Sequence, residues 1–294
     1  MSVIVALDDF YSLQFEPLCL RGRAENTRRL YKTTLRNFRK FLGRSPLMSD
    51  LDNATVSRFL SWFRTYDGGR SAFTANKERS NLLAIWRFAC KEGVISKWPN
   101  VAPDIEPEML PQAWLEDEVK ALFAQCDREP GSICGVPAGL WWRALLLIIW
   151  DSGERIGAVA ALRWEHVSLS TGWLTVPYDL RKGKRADKVY RLAPDTIEAL
   201  RAIRLPKEPR IFPWPYTPNY LWNRFDGLLQ RAGLPHDARS KFHRIRRSVA
   251  SYFEAAGGDA TNLLGHSDRK VTRKHYLDRR IVQEKQASDV LFRP

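Results

Sequence analysis

Hydrophobic residues in the first hundred positions recur at intervals of three and four, which is the spacing of one buried helix face. The longest stripe begins at Glu25, and its apolar members are Leu30, Tyr31, Leu35, Phe38, Phe41 and Leu42. Two further helices are predicted, from Ala54 to Arg64 and from Ala72 to Glu92, and Gly93 is a suitable C-terminal cap for the second. This part of the chain is therefore predicted to be a helical domain similar to a four-helix bundle.

Prolines interrupt the helical pattern just after this region, at positions Pro99, Pro103, Pro107 and Pro111. Because proline lacks a backbone donor and restricts the residue before it, such a cluster predicts a linker. We expect three parts: a helical domain over residues 1–102, a linker over 103–112 and a second domain over 113–294.

The second domain combines helical patterns with two strand-like runs. The runs cover Trp173 to Pro177 and Lys188 to Leu192, and a basic turn around Gly183 separates them. Helices are predicted on either side, at Leu115–Cys126, Ala138–Trp150, Pro218–Ala232, Phe242–Ala256, Asp259–Leu264 and Asp268–Tyr276. The expected fold class is mainly α with a small β-sheet, in which an α+β domain follows a helical N-terminal domain.

The balance of charges indicates what the chain binds. Lysine and arginine together number 47 against 33 acidic residues, which gives a formal net charge of +14. A protein this basic usually meets a polyanion, most commonly nucleic acid, although a basic composition that only serves solubility is a plainer explanation. Motifs must decide between the two.

The sequence lacks the features of a secreted or membrane protein. Its longest apolar run, Ala144 to Trp150, is too short to span a bilayer. The first ten residues carry Asp8 and Asp9 and lack the basic and then apolar order of a signal peptide. The four cysteines are scattered without a CxxC pair, which is typical of a reduced chain. We expect a cytoplasmic protein with no membrane partner.

Two basic features follow the helix predicted from Ala138 to Trp150. Arg155 is predicted in the first turn of a new helix, where free backbone amides and a guanidinium together would suit a phosphate. The turn from Leu180 to Arg185 carries several cations, and a lysine held near a phosphate can protonate a leaving oxygen. Taken singly, an arginine at a helix start is usually a surface residue, and a basic turn is usually a solvated run of charges.

More candidate chemistry lies near the C-terminus. His243 and Arg246 are three positions apart on a predicted helix, so both side chains can face one ligand. They could offer a proton near neutral pH and two parallel donors for phosphate oxygens. His266 follows Gly265 at a predicted helix end, and Tyr276 lies ten residues later. A tyrosine nucleophile needs cations nearby, whereas a packing role is the simpler interpretation of Tyr276 alone.

In order and spacing, these features resemble the active-site series of the tyrosine recombinases, the phage integrase family. The segments that carry the resemblance are Gly153-Glu-Arg155 with Leu162 and Trp164, Lys182-Gly183, Phe242-His-Arg-Ile-Arg246, Leu263-Leu-Gly-His-Ser267 and Val271-Thr-Arg-Lys-His-Tyr276. Residues 27–41 and 75–99 are similar to the helical core-binding domain of that family. A chance match of five features in this order would be rare.

The resemblance implies a site-specific recombinase that cuts and rejoins DNA through a 3′-phosphotyrosyl intermediate. The catalytic residues that it implies are Arg155, Lys182, His243, Arg246, His266 and Tyr276. The two arginines would hold the non-bridging oxygens of the scissile phosphate, and the lysine would protonate the departing 5′ oxygen. The histidines would position the phosphate and manage the proton of the attacking tyrosine. Neither a metal, ATP nor another cofactor is then needed.

Three departures from the family pattern leave details open. The family often has an acidic residue three positions after the first arginine, where this chain has Ala158. Lys184 and Lys188 are close rivals of Lys182 for the role of the catalytic lysine. A histidine, His275, stands directly before the implied nucleophile.

The implied partner is double-stranded DNA, bound by a homotetramer on synapsed sites in the cytoplasm, with the nucleoid. Basic residues beside the catalytic series are expected to contact the DNA: Arg181, Lys184, Arg239, Lys241, Arg244 and Arg247. Two other functions stay open, a type IB topoisomerase that relaxes DNA without exchanging partners and a non-catalytic DNA-binding relative. The chain length and the helical N-terminal domain favour the recombinase.

Overall fold

The computed structural model describes residues 5–183, 186–237, 239–283 and 287–292. It separates into two units, Met1–Glu108 and Met109–Pro294, and this division falls inside the segment 103–112 that the prolines mark as a linker. Helices dominate both units, and small antiparallel sheets occur in the second, so the predicted fold class is confirmed. Across the described part of the chain, no helix is long and apolar enough to cross a membrane.

The first unit is a bundle of helices whose starts and ends follow from local sequence. The Asp52 carboxylate caps one helix, because it accepts hydrogen bonds from the backbone amides of Ala54 and Thr55. Gly43 ends another helix in the left-handed conformation, with φ of +68°. The elements are α1 Leu7–Phe10, a π-helical turn Tyr11–Phe15, α2 Glu16–Cys19, α3 Glu25–Leu42, α4 Asn53–Thr65 and α5 Ala72–Lys91, with 3-10 turns at Met48–Asp50 and Tyr66–Gly68.

Aromatic side chains fill the core of this unit. Phe38 of α3, Phe59 of α4 and Trp86 of α5 are each 0% exposed, and the rings of Phe38 and Phe59 meet edge to face at 5.2 Å. Burial of one such ring contributes about 2 kcal/mol. The three predicted helices are thus confirmed, and so is the burial of Phe38 in the apolar stripe predicted for α3. The segment from α1 to α2 escapes the periodicity because polar residues break its stripe, although Phe10 and Phe15 pack on the same core.

The second unit surrounds one apolar helix with amphipathic ones. This helix, α7, has Trp142 and Leu146 among its fully buried side chains, as expected for a helix that is apolar on every side. The elements are α6 Glu116–Cys126, β1 Ser132–Ile133, β2 Val136–Pro137, α7 Ala138–Ser152, α8 Ile156–Val159, β3 Val167–Ser168, β4 Trp173–Val176, β5 Lys188–Arg191, α9 Pro194–Ala202, α10 Pro218–Arg231, α11 Phe242–Ala255, α12 Ala260–Leu264, α13 Arg269–His275 and α14 Ala287–Val290, with a 3-10 turn at Trp164–His166.

Three short strands form an antiparallel sheet in the order β3-β4-β5. Val176 at the end of β4 pairs with Lys188 at the start of β5, so residues 177–187 connect the two strands. The predicted strand pair is confirmed. The structure adds β3 and a separate hairpin of β1 and β2, which the sequence pattern does not indicate because each of these strands is only two residues long.

Several helix ends meet on one side of the second unit. Gly153 caps α7 with φ of +62°, and a Cβ atom there would lie 3.1 Å from the side chain of Leu264 in α12. Glycine therefore lets the ends of α7 and α12 approach each other. The sequence predicts Arg155 in the first turn of α8. The structure corrects this prediction, because α8 begins only at Ile156 and Arg155 is its N-cap.

Candidate active site

Arg246 of α11 stands at the centre of the candidate site. It is 1% exposed, and its guanidinium donates hydrogen bonds to the carbonyl of Gly153 at the end of α7 and to that of Leu264 at the end of α12, the second at 2.9 Å. Because two helix ends supply these acceptors, the guanidinium is held in one orientation. Its Nε atom is buried and has no hydrogen-bond partner among the described residues. A buried donor of this kind suits an anionic ligand.

Tyr276 is held beside Arg246 by its own backbone. It ends α13, its N–H donates to the Thr272 carbonyl at 2.9 Å, and its carbonyl accepts from the Ser251 hydroxyl at 3.1 Å. The side chain is 6% exposed, and the guanidinium carbon of Arg246 lies 5.5 Å from the centre of the phenol ring. The tyrosine therefore sits in the site without any movement of its segment.

Two imidazole rings flank the phenol. The ring centre of His243 lies 5.2 Å from that of Tyr276, and the ring centre of His266 lies 4.6 Å from it. His243 comes from α11, one turn before Arg246, and keeps an exposed edge. His266 follows the cap of α12, and its Nδ1 lies 2.9 Å from the Thr272 hydroxyl. Three separate elements thus bring two histidines and one tyrosine together.

The two histidines are neutral at physiological pH. Partial burial, followed by the charges of Arg247 and Arg246, lowers the pKa of His243 to about 4. Partial burial and the charges of Arg246 and Arg155 lower the pKa of His266 to about 4 as well. A neutral imidazole beside a phenol can accept the phenolic proton.

Arg155 adds positive charge to the same place. Its charge lowers the pKa of both histidines and of Arg246, for which burial is the larger cause. Its side chain is half-buried, and no acceptor or carboxylate among the described residues pairs with its guanidinium. The site therefore presents two arginines, one buried and one open, beside the phenol.

The connection between β4 and β5 borders the site from another side. Arg181 donates from Nε to the buried carboxylate of Glu154 at 2.6 Å. Lys188 donates to the backbone carbonyl and the side-chain oxygen of Asn262, at 2.7 Å and 2.8 Å, and burial together with the charge of Arg181 lowers its pKa. Lys182 is exposed at the turn. Lys184, the third candidate lysine, lies outside the described residues.

Comparison with known proteins assigns the chain to a family. Residues 113–281 match the phage integrase family, and residues 14–102 match the phage integrase SAM-like domain. The first match alone covers more than half of the chain. The chain belongs to the phage integrase family.

Named relatives of this chain are tyrosine recombinases. The chain is 27% identical over 275 residues to tyrosine recombinase XerD of Pseudomonas aeruginosa, a match that covers 86% of each chain. It is 32% identical over 238 residues to tyrosine recombinase XerC of Xylella fastidiosa, covering 76% of this chain and 75% of that one. The chain is therefore a tyrosine recombinase, as the resemblance in its sequence implies.

Solved structures of lambda integrase share the fold. A lambda integrase dimer bound to a COC′ core site has a TM-score of 0.72 at 19% identity, covering 97% of this chain and 81% of that one. A lambda integrase tetramer bound to a Holliday junction has a TM-score of 0.68 at 20% identity, covering 90% and 78%. At these identities the likeness concerns the fold alone.

The basic residues predicted to contact DNA differ widely in their exposure and in their partners within the protein. Arg239 is exposed. Lys241 pairs with Asp226 at 2.7 Å. Arg247 donates to two backbone carbonyls at 3.0 Å and 3.1 Å. Arg244 is 6% exposed, donates to a backbone carbonyl and stacks over the Trp114 ring at 3.8 Å. The predicted contacts stay predictions, and packing inside the unit already occupies Arg244.

Several polar residues at the site are not singled out by sequence reasoning. Glu154 and Tyr190 form a buried hydrogen bond of 2.7 Å next to the arginines. Ser251 links the Tyr276 carbonyl to the Asp278 amide, and the Asp278 carboxylate accepts from the backbone of Ala113 at 2.8 Å. An acidic residue directly before Arg155, and another two positions after the tyrosine, are the only signals that the sequence offers for them.

Proposed function

We propose that this tyrosine recombinase is a site-specific enzyme that cuts and rejoins double-stranded DNA through a phosphodiester link between Tyr276 and a DNA 3′ end. One observation carries the proposal: the Tyr276 ring is packed among His243, His266 and the Arg246 guanidinium. A phenol that served only packing would gain nothing from a shell of cations and proton acceptors.

Two arginines would bind the scissile phosphate. Arg246 offers the unpartnered Nε of a side chain that two helix ends already orient, and Arg155 offers a guanidinium that no described residue occupies. Guanidinium groups match phosphate oxygens in geometry and stabilise the extra negative charge of the five-coordinate transition state. Because the Arg246 guanidinium is oriented beforehand, little reorganisation of this donor is needed at the moment of reaction.

The phenol attacks phosphorus and loses its proton to an imidazole. The new bond joins the Tyr276 oxygen to phosphorus, and the bond between phosphorus and the 5′ oxygen breaks. With the Nδ1 hydrogen of His266 donated to the Thr272 hydroxyl, Nε2 of that ring is free to take the phenolic proton. His243 lies on the other side of the ring and would hold the phosphate or share the proton.

A lysine ammonium supplies the proton that the departing 5′ oxygen needs. Lys182 is the proposed donor, since it lies on the exposed turn and can follow the DNA backbone. Lys188 is the rival that geometry favours in the free protein, because its amine is already held at the edge of the site by Asn262. Either donor would leave a free 5′ hydroxyl that later attacks the phosphotyrosine and restores the DNA.

This chemistry conserves the energy of the phosphodiester bond in the phosphotyrosyl link. The reaction would therefore proceed without ATP, and the arginines would do the charge stabilisation that a metal performs elsewhere. The net charge of +14 supports binding to DNA, with most of the affinity from phosphate contacts. The lambda integrase tetramer on a Holliday junction supports a tetramer on synapsed sites. We propose that this tetramer acts in the cytoplasm.

The test is the formation of a covalent protein–DNA adduct. A duplex that the purified chain enriches from a randomised DNA library, here called the selected site, is prepared with single nicks stepped along one strand. Cleavage next to a nick releases a short 5′-hydroxyl fragment, so the step cannot reverse. We expect an adduct that survives denaturant with the native chain and disappears with Tyr276→Phe. Tight binding of the selected site with no adduct at any nick position would overturn the proposal and favour a non-catalytic DNA-binding protein.

A further inference from the structure

One carboxylate is buried among the cations of the site. Glu154 is 1% exposed. Its Oε1 atom accepts from Nε of Arg181 at 2.6 Å and from the Tyr190 hydroxyl at 2.7 Å. Its Oε2 atom accepts from the backbone N–H of Arg155 at 3.3 Å and lies 4.0 Å from Nη1 of Arg246. The two oxygens of one carboxylate thus face two different parts of the site.

The negative charge of Glu154 offsets the positive charges of the arginines around it. The guanidinium groups of Arg181 and Arg246 both face this carboxylate, and without it these two like charges would share a poorly hydrated space. The carboxylate also raises the pKa of Arg246 and of Lys188, against the lowering by burial. It therefore favours the charged forms of the groups that face the phosphate.

The chain lacks an acidic residue where relatives of its family often carry one. That position is Ala158, which is apolar and 3% exposed. Among the described residues, Glu154 is the carboxylate within 4.0 Å of Arg246. Position 158 therefore offers no carboxylate to the arginines, whereas Glu154, one residue before Arg155, does.

We propose that Glu154 is a positioning residue for strand cleavage. Its Oε2 side keeps Arg246 and the start of α8 aligned for the scissile phosphate, and its Oε1 side fixes Arg181 and with it the beginning of the turn that carries Lys182. It thereby takes over the role of the acidic residue that is absent at position 158. This inference rests on the proposed cleavage reaction.

The test compares two buried carboxylates that each pair with an arginine. Glu154→Gln keeps the shape and part of the hydrogen bonding but removes the charge. Glu129→Gln is the matched control, because Glu129 holds Arg231 through two bonds of 2.7 Å at the end of α10. We measure the single-turnover rate of adduct formation on the selected site, the affinity for that site, and the melting temperature.

Glu154→Gln is expected to slow adduct formation about 10- to 100-fold, the usual effect of losing a residue that orients a catalytic group, and to change the affinity less than about 3-fold. Glu129→Gln is expected to lower the melting temperature and to leave the rate unchanged. Because Glu154 acts partly through Arg181, the double variant Glu154→Gln/Arg181→Gln should be no more than about 3-fold slower than Glu154→Gln alone.

A melting-temperature loss in Glu154→Gln with the native rate would overturn the inference, and so would equal slowing by both glutamine variants. If Glu154→Gln fails to fold, Glu154→Asp, which keeps the charge with a shorter reach, replaces it, and a native rate in that variant counts against positioning. Failure of the proposed function is a different result, since the native chain itself would then form no adduct.

Discussion

The buried wall of the site, formed by Arg246, Glu154 and Tyr276, contrasts with the turn over residues 177–187. The three members of the wall are 1%, 1% and 6% exposed, and backbone carbonyls or neighbouring side chains fix each of them. In the turn, Lys182 is exposed, and Arg181 ties the turn to the wall through Glu154. Groups that stabilise charge gain from a fixed orientation, as in the wall. A proton donor must instead follow the substrate, as Lys182 in the turn can.

The wall should be the more sensitive of the two regions. We expect Arg246→Lys to slow adduct formation on the selected site about 1,000-fold, because an ammonium can neither reach both helix ends nor present a planar pair of donors to the phosphate. The affinity for the selected site should change far less, since many other phosphate contacts remain. A rate within about 3-fold of the native value would show that the wall is not catalytic.

The turn should affect the cleavage rate through one step, the protonation of the departing 5′ oxygen by Lys182. Lys182→Ala is expected to slow adduct formation about 100-fold or more, as loss of a general acid does. A selected site with sulfur in place of the scissile 5′ oxygen should restore most of that rate, because a thiolate leaves without a proton. Lys188→Ala serves as the comparison. If the sulfur substrate restores the rate of Lys188→Ala but not that of Lys182→Ala, the general acid is Lys188 and not Lys182.

The sequence predicts the position of Arg246 better than that of the turn, for a physical reason. Arg246 and His243 share one helix face, and the periodicity that predicts α11 also predicts their proximity. Residues 177–187 have no periodicity, so their register with the wall comes from tertiary contacts such as the one between Arg181 and Glu154. The choice among the lysines is open in the sequence for the same reason.

Glu154 illustrates what sequence patterns leave out. An acidic residue directly before Arg155 is visible in the sequence, but its burial depends on β5 and α11 packing around it. The helical segment from α1 to α2 escapes for another reason, because polar positions interrupt its apolar stripe and its stability comes from the core it covers.

Acid should destabilise the packing of His243 and His266 around Tyr276. The pKa of His243 and of His266 is lowered from 6.5 to about 4 in the folded chain. Between these values the unfolded chain binds more protons than the native one, so stability falls as the pH drops from about 6.5 toward 4. We expect the melting temperature to fall by several degrees over this range, and by less in His243→Gln/His266→Gln. An equal fall in both proteins would contradict the assignment.

The smallest expected effect is on DNA affinity, in variants of basic residues that lie outside the wall and the turn. Arg239→Gln should weaken binding of all duplexes alike and reduce the slope of log affinity against log salt by about one phosphate contact. Arg244→Gln should lower the melting temperature instead, because Arg244 stacks on Trp114 and is 6% exposed. The salt slope from fluorescence anisotropy distinguishes the two. A reduced slope in Arg244→Gln with native stability would reverse this assignment.

Peptide mapping of the adduct tests the central claim most directly. The native chain is trapped on the nicked selected site, digested with protease and nuclease, and analysed by mass spectrometry for the residue that carries the nucleotide. We predict a nucleotide joined through its 3′ phosphate to Tyr276 and to no other residue. A nucleotide on another side chain, or a link through a 5′ phosphate, would contradict the account.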